Sequence, residues 1–332
     1  MGLIGGVEAF PLQFDPVGNR VGFVDIRPEQ FESFSFLDAR IANDVTPIRW
    51  ASFAEVEDAV RQLAVACDFI FHIGHVGSTL LSRLLGLQKS VFSLREPDIL
   101  RSLATGLNEA QLTVFLKLFS RTPRPNQRTL LKATSFVSQI AGPMMRLAPS
   151  GRAILLFVSP LTYLATILGG DASRKELVAQ APARLARLRE RLEDQPWPAE
   201  TLSPGALAAM TWTSEIMSLV DLAEELPAQV CWLDFDVFLA DPGAGLAKCL
   251  CHLHGRYDPP DVATMLSSPH MRSYSKAEDH PFDAAMRSQG LDRARRDFAG
   301  DIEAGVAWLK VAAHAHPNID AAFRRVAAAR GL

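Results

Sequence analysis

"FIFHIGHVGSTLLSRLL", residues 69–85, begins as a buried strand, turns on Gly74 and Gly77, and continues as a helix. A glycine turn between a buried strand and a helix places unpaired backbone N–H groups and the positive end of the helix dipole at one point, which attracts a phosphate-like anion. In this turn the amides from Val76 to Thr79 ring that point, and the hydroxyls of Ser78 and Thr79 add donors. The competing reading is an ordinary strand-to-helix turn capped by Ser78 or Thr79. A double glycine followed by Ser-Thr is more than a cap requires.

Outward from this stretch the pattern repeats. "SVFSL" (90–94), "TLLKAT" (129–134), "AILLFV" (153–158) and "QVCWLDF" (229–235) are short β-rich runs separated by helix-length segments. Continuous apolar strands between amphipathic helices indicate a doubly wound α/β fold, a mostly parallel sheet with helices on both faces. Ligands of such a sheet sit at the carboxyl ends of its strands. Upstream, "RVGFVDI" (20–26) reads as a strand, and "SFAEVEDAVRQLAVA" (52–66) reads as a helix with Ser52 and Glu55 forming a capping box. Residues 1–60 therefore read as an N-terminal extension with short strands, and residues 61–332 as the α/β domain. The Arg-rich run 174–194 reads as a solvated helix face, and 203–227 as a helix that starts with Ser203 as N-cap and Pro204 at its first position.

Composition bounds the function. The 332 residues are 48% hydrophobic and 21% charged, enough for one large core, and the formal net charge of −3 argues against a broad nucleic-acid-binding face. Four irregularly spaced cysteines do not make a disulfide framework, so a reducing compartment is expected. Residues 1–14 lack the basic start and apolar core of a signal peptide, and residue 6 is Gly where a myristoylation motif needs Ser or Thr. The most apolar run, 153–168, is broken at Ser159 and Pro160 and is shorter than the roughly 20 residues of a membrane span. A cytoplasmic protein without a membrane partner is the expectation.

The G-x-x-x-x-G-K-[ST] motif of nucleotide kinases is not met, because Ser78 stands in the lysine's place. The shorter loop resembles that of the sulfotransferases, P-[KR]-x-G-[ST]-T: Gly74 takes the Pro place, His75 the basic place, and Gly77, Ser78 and Thr79 match. "VFSLREPDIL" (91–100), "VCWLDFDVFLADPGAGLAKCLCHL" (230–253) and "MRSYSKAEDHPFDAAMR" (271–287) carry the resemblance further, over roughly residues 65–290. It implies a P-loop-type nucleotide-binding fold. It also implies transfer of a sulfuryl group from 3′-phosphoadenylyl sulfate to a hydroxyl of a small molecule, without a metal.

The loop Gly74, His75, Val76, Gly77, Ser78 and Thr79 would hold the 5′-phosphosulfate. Glu96 would be the base, with Lys132 on the leaving group and His75 replacing the family's loop cation. The competing readings are a Glu96 paired with Arg95, a surface Lys132, and a core His72. The sequence departs from the family where an Arg and a Ser hold the donor's 3′-phosphate: Val158 stands in the Arg place, and only Thr166 retains a hydroxyl in the Ser place. Losing such a charge-assisted contact costs about 1.5–3 kcal/mol. Arg272 or Lys276 is expected to supply the missing cation. Two alternatives stand beside this reading: a phosphotransferase using Asp234 with Mg²⁺, and a non-catalytic protein retaining the fold and a weak anion site. "CLCHLH" (249–254) is no metal site, since Cys249 and Cys251 on one helix point about 200° apart.

Overall fold

Strand β4 (Cys67–His72) is buried along its whole length, which only a sheet covered on both faces allows. In the computed structural model, which describes residues 4–41, 44–106, 108–194, 197–274, 277–281 and 283–330, β4 is the centre of a five-stranded sheet. Its neighbours are β5 (Val91–Arg95), β6 (Arg128–Lys132), β7 (Ala153–Phe157) and β8 (Val230–Asp234), in the order β5-β6-β4-β7-β8. Every pairing in this sheet is parallel. The expected α/β class holds, and the four β-rich runs fall within two residues of the observed strands.

From β4 the chain passes through α3 (Ser78–Gly86) to the edge strand β5, then through α4 (Ile99–Thr105) and α5 (Glu109–Phe119) back to β6. It next crosses, by way of α6 (Ala141–Leu147), to β7 on the other side of β4. The direction of winding thus reverses around β4. Such a reversal opens a crevice at the carboxyl ends of the strands, and residues 73–77 lie at its centre.

The apolar run 153–168 folds as β7 followed by α7 (Pro160–Gly169), with the Ser159 hydroxyl accepting from the Thr162 amide. Among the described residues no helix is long and apolar enough to cross a membrane. Beyond it lie α8 (Asp171–Leu192) and α9 (Pro204–Glu225), the latter capped by Ser203 as read. The arginines of α8 do not all face water, as expected of them: Arg184 and Arg187 are buried against Glu215 of α9, with Arg184 Nε 2.7 Å from Glu215 Oε1. Leu177, Ala181, Leu185 and Leu188 of α8 are buried beside these arginines, so the charges pair with Glu215 instead of being solvated.

The N-terminal residues form an antiparallel sheet of β1 (Ala9–Asp15), β2 (Arg20–Asp25) and β3 (Arg49–Ser52), with α1 (Pro28–Ser33) after β2. Rings join it to the main layer: Phe10 lies against Phe119, Phe14 against Phe115, and Phe31 against Phe92. Helix α2 (Phe53–Val60) has the expected capping box but is shorter than the span read for it. Lys117 of α5 donates to the Arg61 carbonyl and Ser120 accepts from the Ala66 amide, drawing residues 61–66 out of helix and into line with β4.

After β8 come α10 (Phe235–Ala240), α11 (Pro242–His254), α12 (Pro259–Ser267), a hairpin of β9 (Ser273–Tyr274) and β10 (Ala277–Pro281), and three helices, α13 (Ala284–Asp297), α14 (Ala299–Ala315) and α15 (Pro317–Ala329). Burial lowers the pKa of His252 and His254 on α11 and of His270 after α12; nearby Arg83 and Arg95 lower His270 further. The unfolded chain, with histidines near pH 6.5, then takes up protons before the folded one does. The stability these neutral rings contribute is complete above about pH 6.5 and is lost as pH falls through their lowered folded values. Calorimetry from pH 7.5 to 5.5 should show a falling Tm, and replacing all three by Asn should flatten that slope; equal slopes would contradict the assignment.

Candidate functional site

The turn between β4 and α3 is held in an unusual conformation. Gly74, His75 and Gly77 have φ of 86°, 54° and 71°, in the left-handed region where a side chain is strained. Proline, locked near −65°, cannot occupy position 74 in this conformation, so the loop is built differently from one that carries Pro there. The Gly74 amide donates to His72 Nδ1 at 3.0 Å, which fixes the first bend. At Gly77 an added Cβ would lie 1.9 Å from Phe235 Cζ, so glycine is required there by contact as well as by φ.

The amides that follow are the candidate anion-binding feature. Leu81 is the first to reach a carbonyl, that of Gly77 at 3.1 Å. Among the described residues no acceptor faces the N–H groups of residues 75–80. Six consecutive donors, three before and three within the first turn of a nine-residue helix, make the wall of a cavity there a candidate site for a polyanionic oxygen cluster.

Lys132 lies at the end of β6 with no exposed surface, so it is not the surface lysine of the competing reading. Its Nζ donates to Thr79 Oγ1 at 3.0 Å and to Glu96 Oε1 at 2.5 Å. The register explains the meeting: Lys132 pairs with Arg95 of β5 on one side and Ile70 of β4 on the other, so its side chain rises between the Glu96 turn and the loop. Glu96 has φ of 52°, and its amide donates to the Lys132 carbonyl at 2.7 Å. Of the five described non-glycine residues with positive φ, His75 and Glu96 both belong to this site, and strain of this kind persists where the surroundings over-determine it.

Arg95 turns away from Glu96 instead of pairing with it. Its guanidinium donates to the carbonyls of Phe31, Glu32 and Phe34, at the end of α1. Burial first, then Arg83, pushes its pKa down to about 9. Arg83 of α3 binds the same segment through the Ser33 carbonyl and the Ser35 hydroxyl. These contacts bring Phe36 over Lys132, 5.3 Å from Nζ to ring centre, with the Arg40 guanidinium 3.6 Å above the same ring. The role of residues 31–40 in walling the site has no signal in the motif, because it depends on two arginines distant in sequence.

The other expected residues divide. Glu96, His75, Val76, Gly77, Ser78, Thr79 and Thr166 line one cavity of about 630 Å³, whereas Gly74 stays behind the loop. His75 turns its ring toward α8, with Nε2 3.3 Å from Glu176 Oε2 and Nδ1 3.4 Å from Ser173 Oγ. Its expected part as loop cation is thus redirected, since both ring nitrogens meet α8. His72 is buried, and its ring supports the loop. The Thr166 hydroxyl donates to the Thr162 carbonyl at 2.7 Å. Arg272 is not part of the cavity lining, which takes His270, Met271 and Ser273 from that segment; Lys276 lies outside the described residues. Val158 is fully buried. Asp234 is occupied: its oxygens accept from the Asp236 and Val237 amides and from Arg330, which leaves the Mg²⁺ reading without its carboxylate.

Arg287 of α13, the last residue of the "MRSYSKAEDHPFDAAMR" segment, adds an arginine to the cavity lining. Its Nη1 donates to Asp236 at 2.7 Å, its guanidinium lies 5.2 Å from the Phe235 ring, and Nη2 has no hydrogen-bond partner among the described residues. Asp236 also accepts from Thr162 at 2.8 Å. The placement of an α13 residue in the same cavity as the loop is tertiary, and neither spacing nor charge pattern announces it.

No family model matches this chain, and no curated protein matches it. Among solved structures it is similar to a sulfotransferase domain from the curacin biosynthetic pathway, with 12% identity over 71% of this chain and 98% of that one and a TM-score of 0.41. It is also similar to mouse sulfotransferase SULT7A1 complexed with PAP, with 10% identity over 79% and 96% of the two chains and a TM-score of 0.38. At this level of likeness the chemistry rests on the geometry above.

Two substitutions test the site's construction. Gly77→Ala should lower the unfolding free energy by about 1–3 kcal/mol through overpacking on Phe235. Lys132→Met, which leaves Glu96 beside an apolar side chain, should cost about 3–5 kcal/mol, and Lys132→Met/Glu96→Leu should recover part of it. Urea denaturation measures both. Equal midpoints for Lys132→Met and wild type would remove the bridge from the account.

Proposed function

We propose that this protein is a sulfotransferase that moves a sulfuryl group from 3′-phosphoadenylyl sulfate to the hydroxyl of a small molecule. The observation that carries the reading is the Thr79–Lys132–Glu96 bridge, which joins the free amides of the loop to a carboxylate on the cavity rim. Sulfuryl transfer needs a proton acceptor, in-line positioning, and positive charge where the bridging and equatorial oxygens gain electrons. In the reading, the loop amides of residues 75–80 hold the 5′-phosphosulfate. The Glu96 carboxylate takes the acceptor's hydroxyl proton, the acceptor oxygen bonds to sulfur, and the bond from sulfur to the bridging phosphate oxygen breaks. Lys132 neutralises the negative charge that remains on that oxygen. The products are a sulfate ester and adenosine 3′,5′-bisphosphate.

Arg287 is assigned to the donor's second phosphate, in place of the arginine that Val158 replaces. The assignment is supported by its position on the cavity wall and by an Nη2 still without a partner among the described residues. Thr166 lines the same cavity, but its hydroxyl proton is given to the Thr162 carbonyl, so the reading assigns the phosphate to Arg287 alone.

Isothermal titration with adenosine 3′,5′-bisphosphate tests the donor site. Micromolar binding is expected, weakened about ten- to a hundredfold by Arg287→Ala, the value of a charge-assisted contact. No heat at millimolar ligand would point to a scaffold that keeps the fold without the chemistry. For transfer itself, Glu96→Gln should retain bisphosphate binding while slowing ³⁵S transfer to a panel of phenols and alcohols about 10²- to 10⁴-fold. A Glu96→Gln variant as fast as wild type would remove Glu96 as the base.

A further inference from the structure

We infer that Arg330, which follows α15, is a positioning residue for donor binding. Through Asp234 it fixes α10, the short helix that forms the cavity wall facing the loop. The inference rests on the donor reading above but has a structural readout of its own.

The starting point is a carboxylate in a dry place. The Asp234 side chain is 2% exposed; its Oδ1 accepts from the Asp236 amide at 2.8 Å and the Val237 amide at 3.4 Å, and its Oδ2 from Arg330 Nε at 2.5 Å. A buried carboxylate needs a counter-charge, and removing that partner is far more costly than never having had the pair. Asp234 is also the N-cap of α10, a helix of six residues, too short to hold its own shape. It is anchored at one end by this side chain. Among the described residues strand β8 is an edge strand of the sheet, paired only with β7, so no further strand there holds the Asp234 backbone from the other side.

What α10 carries explains why its placement matters. The Phe235 ring fills the space beside Gly77 where a side chain would otherwise stand, and it also lies under the Arg287 guanidinium. Asp236 orients Arg287 and accepts from Thr162. A rotation of α10 therefore moves the support of the anion loop and the cation of the opposite wall together. Arg330 touches neither, and it acts on both through Asp234.

The test compares Arg330→Ala, Arg330→Lys, Asp234→Asn and the double variant Arg330→Ala/Asp234→Asn. As a control, Ile319→Ala removes a buried contact from α15 without touching the ion pair. Hydrogen–deuterium exchange of the ligand-free protein should show faster exchange at 235–240 and at 81–86, the hydrogen-bonded part of α3, in Arg330→Ala, with Ile319→Ala lowering Tm but leaving those segments protected. Titration with adenosine 3′,5′-bisphosphate should show binding weakened about three- to thirtyfold by Arg330→Ala, largely restored in Arg330→Lys, and no weaker in the double variant. Wild-type exchange at 235–240 in Arg330→Ala would overturn the inference. If the wild-type protein binds no bisphosphate, the donor reading falls, whereas the exchange result still decides whether Arg330 fixes α10.

Discussion

The ammonium of Lys132, without exposed surface, is held at the carboxyl edge of the sheet by the Glu96 carboxylate, the Thr79 hydroxyl and the face of Phe36. A cation so placed has lost its water, and only close, directed partners offset that loss. The constraint reaches outward in three directions. Thr79 ties it to α3 and the loop, Glu96 to the turn after β5, and Phe36 to a segment bound by Arg83 and Arg95. The parallel register of β5, β6 and β4 brings these groups to one height, so the polar site is a consequence of how three apolar strands align.

The loop shows a second kind of economy. In the proposed reading it binds through backbone amides, while side chains shape it: His72 accepts the Gly74 amide, His75 engages α8, and Phe235 of α10 fills the volume beside Gly77. Anion recognition of this sort depends on φ and ψ more than on side-chain charge. The absence of the lysine or arginine found in related loop patterns is therefore no obstacle to holding an anion. In the proposed reading the demand for positive charge moves to Lys132, at the end of β6, and Arg287, on α13, both outside the local motif.

Much of the fold was legible because burial on both faces leaves a plain mark: unbroken apolar runs such as 153–157 are strands, and Ser52, Ser159 and Ser203 mark helix starts. The loop was legible because two glycines and Ser-Thr make a local chemical pattern. Less was legible wherever the cause is long-range. Residues 61–66 carry helical spacing yet are straightened by Lys117 and Ser120. Arg184 and Arg187 look solvated in sequence and are buried by a glutamate on another helix. Lys132 and Glu96 were visible as strand-end residues, but their bridge follows from register; Arg287 in place of Arg272 follows from which face of α13 meets the cavity.

The two ends of the described chain both bear on the central crevice: residues 31–40 cover Lys132, and Arg330 grips Asp234. During translation the first of these is available early, whereas the second emerges only after the whole sheet has been made. A nascent chain on the ribosome can thus assemble the strands and the glycine turn long before its wall is locked. Locking of the Asp234 end of that wall is thereby deferred until residue 330 has been made.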